Sequence, residues 1–309
     1  MTAANARSVP VLIAGGGTVG LTVSVLLARY GVRSLVAERH PGTSILPRAF
    51  GINVRTMEIF RVLGMEDAIQ AVEVDVARLP LLLAMRTLDG PVLESVPFQN
   101  TGDPEDPAWP SPTRTIFCAQ DVLDPILARA VGQTGLAELW FGTEVSGIRP
   151  DPAGVTAELT DRRDGTCRLV RADYLIAADG ANSSVREAIG IGMAGHDIST
   201  EINVLFEADF SRALGAKRAI LYGLHNQWLP EGGLFRNIDG GNRWTLFTRD
   251  TGDAAPERIA EIIRGCAGDP DLEVQIVASG AWRKAALLAD RPSSTAGAGD
   301  GRGPTVSMR

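Results

Sequence analysis

Read from the amino end, the chain opens with a short unbroken apolar run, Val9–Ala14, bounded at once by glycines. A run of that length is what a strand covered on both faces of a parallel sheet requires. Leu21–Gly31, LTVSVLLARYG, then has helical length, with Arg29 in its last turn and Gly31 placed to close it in a left-handed conformation. A second apolar run, VRSLVAE, spans 32–38. Strand, glycine turn, helix and strand within about thirty residues make a βαβ unit, with a right-handed crossover and parallel strands.

Further along, the period changes several times. Helical spacing is expected over Val54–Leu63, Glu66–Val72 and Gln120–Val131, Gly64 separating the first two. Leu79–Phe98 alternates as strands do, and Asp89-Gly90 within it signals a hairpin. Residues 100–114, NTGDPEDPAWPSPTR, read as a long loop. Several short strands are expected over 137–178, ending in YLIAAD, and a short helix over Ser183–Ile189. Beyond Gly190 the strand-like runs INVLFEADF, RAILYGL and RWTLFTRD dominate, with one helix near Glu257–Cys266. From Pro292 to Arg309 there is little apolar content and no period, which predicts a disordered or aberrant tail.

Charge and composition narrow the field. A net charge of −7, from 37 acidic and 30 basic side chains, argues against a surface that tracks phosphates, so nucleic acid is not an expected partner. The apolar stretches are strand-sized, short of the roughly 18 residues a membrane span needs. No secretory pattern precedes the first glycines, so the cytoplasm is the expected compartment. Cys118, Cys167 and Cys266 lie far apart, without metal or redox spacing, and read as buried free thiols; no metal is expected.

The chemistry sits in Gly15-Gly16-Gly17-Thr18-Val19-Gly20, which satisfies G-x-G-x-x-G between a strand and a helix. Gly15 serves the tight turn, Gly17 the approach of a pyrophosphate, and Gly20 the close packing of helix on strand. Phosphates would meet the helix N-terminus, where unpaired N–H groups favour negative charge. Glu38 ends the next strand, 18 residues after Gly20, where a carboxylate accepts ribose hydroxyls. This is a Rossmann-like dinucleotide site, and by itself it leaves NAD and FAD equally open. His40, His196 and His225 are scattered and read as structural, while a serine nucleophile elbow, a zinc pattern and a Walker loop are absent.

The strings AERHPG (37–42), PRAFGINVRTMEIF (47–60), Gln120-Asp121-Val122-Leu123 and YLIAADGANSSVR (174–186) carry a resemblance. They are similar to segments of the class A flavoprotein monooxygenases, within them to the polyketide and aromatic hydroxylases that resemble p-hydroxybenzoate hydroxylase. The resemblance implies an α/β fold: a Rossmann-like FAD-binding domain plus a mainly antiparallel β-sheet substrate domain. The first is expected over 1–78 and 115–190, continuing at about 279–291, and the second over 79–114 and 191–278. It implies FAD as cofactor, NADPH or NADH as transient reductant, O2, and an aromatic small-molecule substrate such as the polyketides of antibiotic biosynthesis. Oxygen would be transferred from a flavin C4a-hydroperoxide.

By the same resemblance, Glu38 holds the adenosine ribose and Arg39 lies against the adenine. Arg48 lies near the flavin pyrophosphate and the NAD(P)H path, Gln120 near the diphosphate, and Asp179-Gly180 serves both FAD and the nicotinamide. Asp179 is also placed to cap the helix that follows it. No side chain stands out as a catalytic acid or base. The substrate would lie under the antiparallel sheet, with Trp228, Phe235, Trp244 and Phe247 available either to face it or to fill the core. Gly299-Asp300 offers the family's later Gly-Asp pair without the apolar residues and helix expected after it. The chain therefore reads as shortened relative to the family, with impaired turnover. Another flavin or NAD oxidoreductase, or a non-catalytic nucleotide-binding remnant, are the alternative readings.

Overall fold

The computed structural model describes residues 7–98, 102, 105–249, 255–295 and 305–308. They divide into two compact units. The first joins Met1–Ser44, Asp121–Gly195 and Leu287–Arg309; the second joins Ile45–Gln120 and His196–Ala286. The boundaries differ from the expected ones, because 45–78 is tied to the second unit. There Val74 N–H donates to Phe117 O, Cys118 N–H to Phe50 O, and the Arg236 guanidinium to Pro47 O.

In the first unit the opening pattern folds as a βαβ unit: strand β1 (Arg7–Ala14), helix α1 (Thr18–Arg29) and strand β2 (Ser34–Glu38). Parallel to β1 on its other side runs Cys167–Ala177, and parallel to β2 runs Ala137–Phe141. The unbroken apolar character of β1 and β2 follows from cover on both faces. Val11, Ile13 and Val36 pack with Val23 and Leu27 of α1, while Leu12, Ala14, Leu35 and Ala37 pack with Val145, Val155 and Val185 from the opposite side. Gly31, just past the helix end at φ +75°, takes the left-handed conformation expected of it.

Cys167–Ala177 changes partner along its length. Residues 167–172 pair antiparallel with Gly154–Asp161, and Leu175–Ala177 pair parallel with Val306–Met308. The segment after Pro292 was expected to be disordered or aberrant. Instead Ser293–Thr295 and Thr305–Met308 are strands, paired antiparallel to each other; residues 296–304 and 309 lie outside the described residues. Composition gave no warning, because the strands are induced by open backbone groups on a neighbouring sheet edge rather than by an apolar pattern.

The second unit is built on a seven-stranded sheet. Its order is Gln275–Ala289, Met193–Glu207, Arg243–Arg249, Gly233–Asn237, Leu221–Leu224, Leu82–Met85 and Val92–Val96. The expected hairpin joins the last two, which pair antiparallel with a register shift at Ala84/Met85. Helix Pro256–Ala267 buries Ile259, Ile263 and Cys266 against one face, in a core that includes Phe206, Phe210, Phe235 and Trp244. The expected loop at 100–114 falls partly outside the described residues, and 105–114 holds no helix or strand.

Candidate functional site

The glycine turn is positioned by parallel strands that end in register: Ala14 pairs with Ala37 on one side and with Ala177 on the other. The loops that follow all three strands therefore leave the same edge of the sheet. Gly15 N–H donates to Ala37 O at 2.8 Å, and Ala178 N–H to Ala14 O at 2.7 Å.

Within the turn the three glycines separate by cause. Gly15 has φ +105°, and a Cβ there would stand 2.3 Å from Ala178 O. A Cβ on Gly20 would stand 1.9 Å from Gly15 O. The chain needs both glycines for its own packing. Gly17 is different: its φ is −80°, open to any residue, and a Cβ would meet no described atom within 4 Å. Nothing among the described residues asks for glycine at that position, whereas close approach of a ligand to the backbone would. Gly17 is also the N-cap of α1 and offers no side chain to its first N–H groups, so these are left for an anion. Thr18 Oγ1 donates to Asp124 Oδ1 at 2.6 Å, fixing the first turn, and Val19 is exposed beside it.

Glu38 faces this turn. Its Oε2 accepts from Gly16 N–H at 2.7 Å, and its Oε1 from His40 N–H at 2.8 Å with His40 Nδ1 at 2.6 Å. Burial pushes its carboxyl up, but the His40 and Gly16 amides and the His40 ring together outweigh it and hold the pKa below the usual carboxylate range. The group is thus an anion at neutral pH, suited to accept hydroxyl donors. Arg39 is exposed next to it.

Asp179 accepts from Ser183 Oγ at 2.5 Å and from Val185 N–H at 3.1 Å. It therefore fixes the start of the helix Ser184–Ala188, whose N-cap Ser183 in turn accepts from Arg186 N–H. Asp179 thus has the capping role that its position before the helix implies. Gly180, at φ +84°, has open space where a side chain would be. Gly15, Gly17, Thr18, Val19, Gly20, Glu38, Arg39, Asp179 and Gly180 all belong to the first unit. Arg48 and Gln120 belong to the second, where Gln120 N–H donates to Ala49 O at 3.0 Å, next to the exposed Arg48.

Sequence reasoning passed over two participants in the first unit. His40, read as structural, grips the carboxylate two residues before it. Asp124, fully buried, accepts from Thr18 across 106 residues of sequence, a pairing that no local pattern announces.

In the second unit a cleft of about 530 Å³ opens on the sheet face opposite the core. Ala84, Gly223, Leu234 and Phe247 lie side by side across four strands and form its floor. Small residues at Ala84 and Gly223 create the hollow. Of the four aromatics considered for the substrate, only Phe247 lines it. Phe235 and Trp244 are core residues, Phe235 packing edge-on to Phe206 and Phe210, and Trp244 to Phe210. Trp228 packs on the helix Pro256–Ala267, so close to Gly265 that a Cβ there would be 2.2 Å away. Aromatic residues on alternating strand positions cannot be assigned a face until register is known.

Cys118 and Cys266 are buried as expected, whereas Cys167 is exposed at a strand start. Among the described residues no helix is long and apolar enough to cross a membrane, and no group of three or more His, Cys, Asp or Glu is placed to hold a metal ion.

Comparison with known proteins agrees with this geometry. The family model described as FAD binding domain matches residues 8–294. The tetracenomycin B2 monooxygenase-dioxygenase of Streptomyces olivaceus is 36% identical over 305 residues, covering 91% of this chain and 55% of the relative. The flavin-dependent monooxygenase PieE, solved in complex with FAD and substrate, superposes with a TM-score of 0.84 at 34% identity, over 97% of this chain and 52% of that one. Aklavinone-11 hydroxylase, solved with FAD and aklavinone, gives a TM-score of 0.80 at 33% identity, over 98% and 57%. The chain thus spans about half the length of the proteins it matches. By a match over most of its length, the chain belongs to the FAD binding domain family.

Proposed function

We propose that this chain is the FAD-holding part of a monooxygenase that hydroxylates an aromatic, polyketide-like substrate. The open Cα of Gly17 at the N-terminus of α1 carries the reading, because it is a cradle that the protein's own packing does not explain. FAD held there would supply the redox chemistry, acceptance of hydride from NADPH or NADH and transfer of one oxygen atom of O2 to an aromatic ring, the other leaving as water.

The side chains have narrower tasks. The Gly15–Gly20 turn receives the pyrophosphate through backbone N–H groups. Glu38, held as an anion by Gly16 and His40, accepts the ribose hydroxyls and disfavours a phosphate in their place. Arg39 covers the adenine. Arg48 and Gln120 serve the diphosphate and the reductant's path, and Asp179-Gly180 the cofactor's far end. The cleft over Ala84, Gly223, Leu234 and Phe247 takes the substrate ring and keeps water from it. Dependence on NAD(P)H fits the cytoplasm.

Titration of the 309-residue chain with FAD, followed by calorimetry, tests the cofactor assignment. Saturable one-to-one binding, weakened in Glu38→Gln, is the expected result; no heat of binding would sink it. Oxidation of NADPH or NADH accelerated by an aromatic polyketide, with oxygen appearing in the product, tests the activity. Binding of FAD without either signal would favour a nucleotide-binding remnant.

A further inference from the structure

The strand Gln275–Ala289 stands at one end of the seven-stranded sheet. It pairs with Met193–Glu207 along one edge, and its other edge carries no strand among the described residues. At 15 unbroken residues it is three times the length of Val92–Val96 at the opposite end, and its free edge runs for roughly 50 Å. Proteins usually blunt so long a row of open N–H and C=O groups with proline, a bulge or an unpaired charge. Here proline is absent, and the apolar side chains are open to solvent. Trp282 is 44% exposed and Leu288 76%, and Val277 and Leu287 are exposed as well. The strand's two charges, Arg283 and Lys284, sit near its middle, and Arg283 lies 3.4 Å from Asp197 on the neighbouring strand.

The order of residues along this edge selects an occupant. Two copies of one strand laid side by side and antiparallel are related by a two-fold axis normal to the sheet. Each residue then meets one from the same face of the sheet, and one residue meets itself. Trp282 is the midpoint of Gln275–Ala289, so full overlap of the two strands sets Trp282 opposite its own copy. In that register Ile276 meets Leu288, Val277 meets Leu287 and Ala278 meets Ala286. Arg283 falls opposite Ala281, and Lys284 opposite Gly280, so neither charge faces a like one. Moving the centre to residue 283 or 284 would set arginine on arginine or lysine on lysine. Two residues beyond each end, exposed Glu273 of one copy comes level with exposed Arg291 of the other, twice by symmetry.

We propose that the free edge of Gln275–Ala289 pairs with the same edge of a second copy of this chain, antiparallel and centred on Trp282. The two sheets then continue as one, and the backbone groups of both edges are satisfied together. The apolar side chains left open in one copy cover those of the other, and the Glu273–Arg291 pairs at the two ends fix the register. Closed two-fold pairing uses up the edge on both copies, so assembly stops at the dimer.

Sedimentation velocity of the full chain over a range of concentrations tests the assembly, and a reversible monomer–dimer equilibrium is expected. Cysteine cross-linking tests the register, in a Cys167→Ser background that leaves only the buried Cys118 and Cys266. Trp282→Cys should form an intermolecular disulfide on mild oxidation, because its two copies face each other across the pair. Ser279→Cys should not, since its copies would stand about 20 Å apart along the strands. Glu273→Arg and Arg291→Glu should each weaken the dimer about fivefold, and the two together should restore it to within about twofold. A thermal melt of each variant separates loss of the dimer from loss of the fold. A chain that stays monomeric at every concentration, or one that grows past the dimer, would overturn the proposal. So would a dimer that cross-links through Ser279→Cys and not through Trp282→Cys. A monomer whose amides over 275–289 exchange slowly with deuterium would overturn it as well, and would assign the edge to another segment of the same chain.

Discussion

Replacing Gly17 by alanine should damage cofactor binding while leaving the fold untouched, and replacing Gly20 should do the reverse first. At Gly17 a Cβ meets no described atom within 4 Å and φ is −80°, so the folded chain accepts the methyl without strain. Stability should therefore stay within about 0.5 kcal/mol of the unaltered chain. A cofactor seated against that backbone meets the methyl directly. Overpacking of about 1–3 kcal/mol then falls on the complex alone, weakening FAD by roughly five- to 150-fold. At Gly20 the added Cβ would lie 1.9 Å from Gly15 O, and helix and turn must part. That change should cost the apoprotein itself about 1–3 kcal/mol, at about 2–4 °C of melting temperature per kcal/mol. The assay is a thermal melt of each apoprotein together with an FAD titration. If Gly17→Ala binds FAD as tightly as the unaltered chain, the open space at that residue is not the cradle. If it melts as low as Gly20→Ala, the separation of the glycines by cause is wrong.

Two further outcomes follow from the same site. Because the folded-state pKa of Glu38 is depressed, its ionised form contributes stability above the ordinary carboxylate value of 4.5, and that contribution is lost as pH falls through the lower folded value. Unfolding monitored between about pH 6 and 2 should show a shallower acid slope in Glu38→Gln than in the unaltered chain; parallel curves would contradict this. Thr18→Val removes a donor from the fully buried Asp124 and should lower stability by about 1–3 kcal/mol, while Thr18→Ser should restore most of it, as measured by urea unfolding.

The first unit was legible in the sequence wherever a local period met a short-range constraint. β1, α1 and β2 announce themselves because an apolar run, a glycine turn and a helix each leave a pattern within a few residues. Gly15, Gly17, Gly20 and Glu38 were legible for the same reason. What the sequence hid depends on register and on partners far along the chain. The face taken by Phe235, Trp244 and Phe247 is set by pairing across strands, so their roles could not be told apart beforehand. Thr18 finds Asp124 only through the placement of a later helix. The strand Thr305–Met308 exists because Leu175–Ala177 offers it a backbone edge, and its own composition says nothing of that. Arg236 looks like any strand-end arginine until Phe50 and Phe247 are found on either side of it.

The bond from Ala178 N–H to Ala14 O closes the nucleotide edge across most of the first half of the chain. During synthesis the glycine turn therefore emerges long before the strand that completes it, with much of the second unit made in between. Contacts so distant in sequence pay their loop-closure entropy late, so this unit should fold slowly and after its neighbour's early hairpin. A nascent chain has no finished pocket to offer, and a coenzyme present at that moment would act as a template, capturing the sheet when its last central strand arrives.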